Sequence, residues 1–249
     1  MRISSDISDS NITSSAPRVP PTTGRTSSRT LATVPTTVPA SAPAPTFILA
    51  SASPARLATL RAAGIEPEVR VADLDEEGLL EAAGPVAPAD AVLLLARAKA
   101  EHVAAEHVAT DAGLAGALVL GCDSMLELDG RVLGKPRDAA DAAARWRDMR
   151  GRSGVLHTGH WLVGPGGTAG ATASTTVRFA QVSDDEIAAY VATGEPLKVA
   201  GAFTVDGLGG AFVEGIEGDH HNVVGVSLPL VRALLARLGV GITDLWARP

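Results

Sequence analysis

The sequence predicts an α/β protein built on a mixed, twisted sheet with flanking helices. Three observations carry that prediction. Short apolar runs of strand length alternate with longer stretches of helical periodicity. An Asp-Gly pair and a Gly-Pro-Gly-Gly run separate strand-like segments, which brings hairpins and antiparallel pairs into the sheet. The 249 residues suffice for one large domain or two small lobes sharing a cleft, and no internal repeat is visible.

Ser, Thr and Pro make up more than half of residues 1–46, and large apolar side chains are few there. Such a segment buries too little surface to offset its ordering entropy, so it reads as a disordered tail or as an upstream start-site artefact. It lacks the apolar region of a secretory signal, and Asp6 and Asp9 argue against a transit peptide. The ordered domain is expected over 47–249. Phe47 to Ala50 is a buried strand by its apolar run. Ser53 and Pro54 are helix-start signals for a helix through Leu57, Leu60 and Arg61 that ends at Gly64. Val69 and Val71 suggest a second strand, Pro88 to about His107 a long helix, and Ala117 to Gly121 a third strand. Met125–Leu128 and Arg131–Leu133 flank Asp129-Gly130 as a hairpin. Asp138 caps a helix with Ala139, Ala142, Ala143, Trp146 and Met149 on one face. Val155–Val163 and Thr172–Phe179 read as a strand pair. Ser183 and Glu186 form a capping box for a helix to about Ala192. A last helix carries Leu230, Leu234, Leu235 and Leu238 and stops at Gly239.

Composition narrows the function. The formal net charge is −7, which disfavours non-specific nucleic-acid binding while leaving small phosphorylated ligands open. Cys122 is the single cysteine, so no intramolecular disulfide can form, and a reducing cytoplasm is the expected location. No apolar run approaches membrane-spanning length, so no membrane partner is expected. Aromatics are 3% of the chain, which predicts a core of small aliphatic side chains.

Five segments carry polar groups suited to chemistry. Ser51, Ser53 and Arg56 lie at a strand-to-helix junction, where free backbone N–H groups and a guanidinium suit phosphate; an ordinary helix cap is the plain alternative. Asp73, Asp75, Glu76 and Glu77 form either a divalent-cation site or a solvated acidic loop. Lys99 falls inside an apolar helical stripe with Val92, Leu95, Ala96 and Val103, so it snorkels outward or points into a polar cleft. Asp123 follows an apolar strand, where carboxylates activate water or bind metal in α/β proteins, or simply cap the next element. Lys135 follows the hairpin and either meets a phosphate or sits in a surface turn. The histidines at 157, 160, 220 and 221 lack zinc-site spacing, and there is no Walker A sequence.

In this order the segments resemble the Maf-like family of nucleotide pyrophosphatases. The matching stretches are LASASPARL from Leu49, DLDE from Asp73, ARAKAE from Ala96 and LGCDSMLELDGRVLGKP from Leu120. They continue with LHTGH from Leu156, VSDDEIAAYVATGEPLKVAGAF from Val182 and EGIEGDHHNVVGVSLP from Glu214, so the resemblance spans roughly Phe47 to Val240. The resemblance implies two lobes around a nucleotide-binding cleft, as in inosine triphosphate pyrophosphatases. It implies cleavage of a nucleoside triphosphate to a monophosphate and pyrophosphate with a divalent cation, Mg²⁺ or Mn²⁺. It further implies that Asp123 activates the water, that Ser51, Ser53, Arg56, Lys99 and Lys135 face the triphosphate, and that Glu76 supports the metal with Asp123. Three positions resembling specificity determinants are Ala55, Ser124 and Asp206, where the chain departs from the subgroups acting on dTTP and UTP or on methylated GTP. Asp206 would accept hydrogen bonds from N–H groups on a base edge. A homodimer is left open. The competing expectation is a nucleotide-sensing regulator of septum formation acting through a protein partner.

Overall fold

A computed structural model describes residues 45–108 and 111–246. The expected tail over 1–46 lies outside the described residues except for Pro45 and Thr46. The central feature is a seven-stranded sheet in the order β2-β1-β3-β5-β6-β7, with β4 paired to β3. The strands are β1 (Phe47–Leu49), β2 (Glu68–Val69), β3 (Leu118–Leu128), β4 (Arg131–Leu133), β5 (Ser153–Gly164), β6 (Gly167–Phe179) and β7 (Val213–Glu217). β1 runs parallel to β2 and β3, and the remaining pairs are antiparallel, so the sheet is mixed.

The helices begin where capping chemistry dictates. Ser53 caps α1 (Pro54–Ala62), Asp138 caps α4 (Ala139–Met149), and Ser183 with Glu186 closes the capping box of α5 (Asp184–Ala192). α3 (Pro88–Val103) begins on a proline and runs into a π-helical turn, Ala104–Val108. Ser227 caps α7 (Leu228–Arg237), and Gly239 follows it at φ +77°.

Three expectations need correction. Residues 118–128 are one continuous strand rather than a strand, an acidic turn and a hairpin arm. Gly121 and Asp123 are poor strand formers, but unbroken pairing with β5 from Val119 to Glu127 overrides their propensity. The strand expected around Val69 and Val71 is two residues long, with Val71 outside it. The acidic run opens a helix, α2 (Glu76–Ala83), because Asp75 accepts the Gly78 N–H at 2.9 Å as its cap.

Strand register sorts the core onto the two sheet faces. Gly121, Asp123, Gly159 and Trp161 share one face, since opposed residues of an antiparallel pair point the same way. α3 lies on this face, and its cluster holds Ile48, Ala50, Ala100, Val103 and Val119. The other face carries two clusters. One joins Leu49, Leu118, Leu120 and Leu162 to Leu60 of α1 and to Val231, Leu234 and Leu235 of α7. The second joins Leu126, Leu128, Leu156 and Val177 to α4 and α5. Between them runs a polar belt of Ser124, Thr158 and Thr175 under α6 (His220–Val224), which holds Asn222. The described residues nevertheless form one compact unit, so the two clusters share one domain rather than separate lobes.

The core is less uniformly aliphatic than the composition predicts. Five of the eight Phe, Tyr and Trp side chains gather in the second cluster, with Trp146 edge-on to Phe179, Tyr190 and Phe212. Trp146 donates its indole N–H to the Ala202 carbonyl at 2.8 Å, which ties the segment after α5 to α4.

α3 approaches the sheet at backbone distance. A Cβ on Gly121 would stand 2.1 Å from the Ala96 carbonyl oxygen, and one on Gly159 would stand 2.2 Å from that of Val92. Gly121→Ala is therefore expected to lower stability by about 2–3 kcal/mol, read from the urea midpoint, because backbone must move to admit the methyl group.

A buried histidine joins β5 to α7. Nε2 of His160 accepts the Ser227 N–H at 2.8 Å, so the proton sits on Nδ1 and is donated to the Thr158 carbonyl at 3.0 Å. Burial first, and then the nearby Arg56 charge, push its pKa from 6.5 down to about 4. The folded-state pKa lies below the unfolded one. The stabilisation is thus complete above about pH 6.5 and is lost as pH falls through about 4. The gap in urea midpoint between the native chain and His160→Gln should narrow between pH 7 and pH 4.5, as read in urea titrations at both values; a constant gap would refute this account.

Candidate active site

β3 makes the site because its two edges are used differently. β5 runs along one edge, while β1 and β4 share the other, pairing with residues 118–120 and 126–128. The stretch 121–125 between them has no strand partner on that edge, and a cleft of about 960 Å³ opens there. Successive side chains of a strand point to opposite faces. Asp123 therefore turns towards α3, and Ser124 turns towards α1 and α6.

On the α3 face, Lys99 is the partner of Asp123. Its Nζ lies 2.6 Å from Asp123 Oδ1 and 2.9 Å from Glu76 Oε1. The Lys99 and Asp123 side chains are only 12% and 13% exposed, so the apolar stripe of α3 directs this lysine into the cleft rather than outward. Glu76 sits at the start of α2 and is 48% exposed. One ammonium thus draws two carboxylates from separate elements to one point.

On the opposite face, Arg56 bridges three elements. Its Nε donates to the Gly225 carbonyl at 2.7 Å. One terminal nitrogen donates to Ser51 Oγ at 2.8 Å and to the Cys122 carbonyl at 3.0 Å, and the other to Ser124 Oγ at 2.9 Å. The guanidinium stands in for a neighbouring strand at the Cys122 carbonyl. Ser124 Oγ accepts from Arg56 and lies 2.9 Å from Thr158 Oγ1, which donates to the Asn222 carbonyl at 3.1 Å. A directed chain results, running Arg56 to Ser124 to Thr158 to Asn222. Ser51 Oγ also accepts the Ser53 N–H at 3.3 Å, and Ser53 Oγ accepts the Arg56 N–H at 3.4 Å as the α1 cap.

Ser51, Ser53, Ala55, Arg56, Glu76, Lys99, Asp123, Ser124, Lys135 and Asp206 all line this single cleft, whereas Asp73, Asp75 and Glu77 of the acidic run do not. The Lys135 and Asp206 side chains have no hydrogen-bond or ion-pair partner among the described residues; the Lys135 carbonyl accepts from Arg145 at 3.4 Å.

The Maf-like protein family model matches residues 46–238. A Streptomyces coelicolor protein named nucleoside triphosphate pyrophosphatase is 58% identical over 202 residues, covering 80% of this chain and 94% of the relative. A Salinispora tropica protein of the same name is 61% identical over 204 residues, covering 81% and 87%. A third, from Nocardia farcinica, is 53% identical over 210 residues, covering 82% and 98%. The chain belongs to the Maf-like family.

The cleft of this Maf-like chain holds groups that the sequence reading did not single out. Glu195 and Thr204 line its wall, with Phe203, Leu208 and the exposed Lys198. The signal available was the Gly-Glu-Pro run after α5. There Gly194 takes φ +74° to end the helix, and Glu195 and Pro196 begin a 3₁₀ turn. Cys122, next to the acid, is excluded from nucleophilic chemistry, because complete burial pushes its thiol up to about 12. Among the described residues no helix is long and apolar enough to cross a membrane.

Lysine cannot reproduce the forked geometry of Arg56. Arg56→Lys is expected to lower stability by about 2–4 kcal/mol in urea titrations, since the Cys122 and Gly225 carbonyls would lose their donors. A midpoint within experimental error of the native chain would contradict that role.

Proposed function

We propose that this Maf-like protein hydrolyses nucleoside triphosphates, standard or modified, to the monophosphate and pyrophosphate in the cytoplasm. The observation that carries the proposal is the meeting of Asp123, Lys99 and Glu76 in one cleft with a phosphate-suited helix start and Lys135. The printed names of the relatives support the same reaction.

Asp123 is the general base in this reading. Its carboxylate takes a proton from water as the water oxygen bonds to phosphorus at the α–β linkage, and the bridging P–O bond breaks to release pyrophosphate. Lys99 binds one oxygen of that carboxylate, Oδ1, which fixes the acid's orientation. Lys135 and the backbone N–H groups around Ser51 and Ser53 are suited to hold the triphosphate and to stabilise the charge that grows on the leaving pyrophosphate. Arg56 acts mainly by holding this cradle together, since its donors already bind protein oxygens.

A divalent cation fits the donor set. The Asp123 and Glu76 carboxylates converge on one positive group, Lys99 Nζ, which marks a point where a second cation can share them. Mg²⁺ and Mn²⁺ use one or two protein carboxylates, completing their shells with water and substrate phosphates. Bound there, the ion would polarise the phosphoryl oxygens. The nucleotide is the expected partner.

Purified protein with Mg²⁺ or Mn²⁺ should release monophosphate and pyrophosphate in equal amounts from at least one member of a panel of canonical, methylated and oxidised triphosphates. Chelation should abolish release. Asp123→Asn should lower kcat about 10²–10⁴-fold while the chain still folds, with a lowered urea midpoint because Lys99 keeps only Glu76 as a charged partner. Release of orthophosphate alone, or near-native turnover in the variant, would overturn the assignment.

A further inference from the structure

One carboxylate in the cleft wall is consumed entirely by protein hydrogen bonds. Glu195 accepts the Leu208 N–H at 3.1 Å, the Gly209 N–H at 3.0 Å and the Tyr190 hydroxyl at 3.0 Å, and the Thr204 hydroxyl also donates to it. Tyr190 in turn accepts the Thr204 N–H at 3.3 Å. The segment 204–209 is thus folded around a single anion, with two successive backbone N–H groups aimed at it. Its glycines fit this arrangement. A Cβ on Gly207 would lie 2.8 Å from Glu195 Oε2, and one on Gly209 would lie 2.4 Å from the Tyr190 hydroxyl.

The segment so held carries Asp206 and Leu208, and both line the cleft. Leu208 is 60% exposed, and Asp206 is exposed with no partner among the described residues. An uncovered apolar side chain beside an uncommitted carboxylate suits a nucleobase, which offers an apolar face and N–H donors on its edge. The cations of the cleft suit the phosphates instead.

We propose that Glu195 is a positioning residue for base selection: it fixes the 204–209 loop so that Asp206 and Leu208 meet the base. This inference rests on the proposed function, because only a nucleotide substrate brings a base to that wall. The free energy of ordering the loop is supplied by the anchor before substrate arrives, so the loop does not have to be ordered at the expense of binding. Removing the anchor should loosen discrimination among bases more than it slows the chemistry at Asp123.

The test is steady-state kinetics on a panel of triphosphates for the native chain, Glu195→Ala, Glu195→Gln, Asp206→Ala and the Glu195→Ala/Asp206→Ala double variant. For Glu195→Ala, KM for the preferred triphosphate should rise about tenfold, kcat should fall far less, and the preference between bases should shrink towards unity. Glu195→Gln keeps one acceptor oxygen and should retain most of the native preference. The selectivity lost through Asp206→Ala should be much smaller in the Glu195→Ala background, because a loop already released has little left to lose. A uniform fall in kcat with preference intact, or independent effects of the two substitutions, would overturn the proposal. If Glu195→Ala does not fold, amide hydrogen exchange decides on Glu195→Gln. Exchange at one of the Leu208 and Gly209 amides, the one that loses its acceptor oxygen, should accelerate about tenfold with the rest of the sheet unchanged, and unchanged protection at both amides would refute the anchor. If the native chain hydrolyses no triphosphate, the proposed function fails, and the exchange measurement alone then judges the anchor.

Discussion

The site depends on how closely α3 lies against the sheet. Gly121 and Gly159 let the helix backbone rest directly on β3 and β5, with the Ala96 and Val92 carbonyls where side chains would otherwise stand. That approach brings Lys99 within 2.6 Å of Asp123 although both are largely buried. A buried charge without its partner is strongly unfavourable, so each depends on the other's placement. The ammonium then reaches Glu76 and fixes the start of α2 against the same point. One steric allowance thus sets the geometry of three charged groups from three elements.

The second organising feature is the interrupted edge of β3. Were β1 and β4 continuous along it, residues 121–125 would be sealed by ladder hydrogen bonds. Arg56 closes part of that gap by donating to the Cys122 carbonyl, and the rest remains cleft. Strand alternation then divides the labour. Asp123 meets Lys99 on one face, while Ser124, one residue on, joins the Arg56 relay on the other. Acid and hydroxyl are adjacent in sequence yet work in different surroundings.

The two core clusters on that face differ in material. The cluster under α1 and α7 is largely aliphatic, whereas the other concentrates the aromatic side chains around Trp146. The aromatic cluster also holds the segment leading to Phe203, through the Trp146 bond to the Ala202 carbonyl. Large rigid rings suit that task, since they fill space and fix direction with few rotatable bonds. The loop bearing Asp206 follows directly, clamped by Glu195, so the wall opposite the helix start is held at both ends.

Much was legible in the sequence because it is local. The caps at Ser53, Asp138 and Ser183, the glycine stops at Gly64 and Gly239, and the Asp-Gly and Gly-Pro-Gly-Gly turns act over a few residues, and the helices and hairpins follow from them. The order of motifs likewise marked ten residues that line one cleft. What escaped the sequence was set by partners distant along the chain. Pairing with β5 carried β3 through Gly121 and Asp123, against their propensity. The wheel placed Lys99 in an apolar stripe but left its direction open, and Asp123, 24 residues away, decided it. Nothing near Arg56 reveals that its donors go to Cys122, Ser124 and Gly225, up to 169 residues distant. Nothing in the Gly-Glu-Pro run shows that the Glu195 carboxylate gathers the N–H groups of Leu208 and Gly209, 13 and 14 residues on. Sequence by itself determined where the chain bends and which side chains carry charge. Only the tertiary structure decided which charges share a desolvated point, because that depends on backbone separations that no local preference encodes.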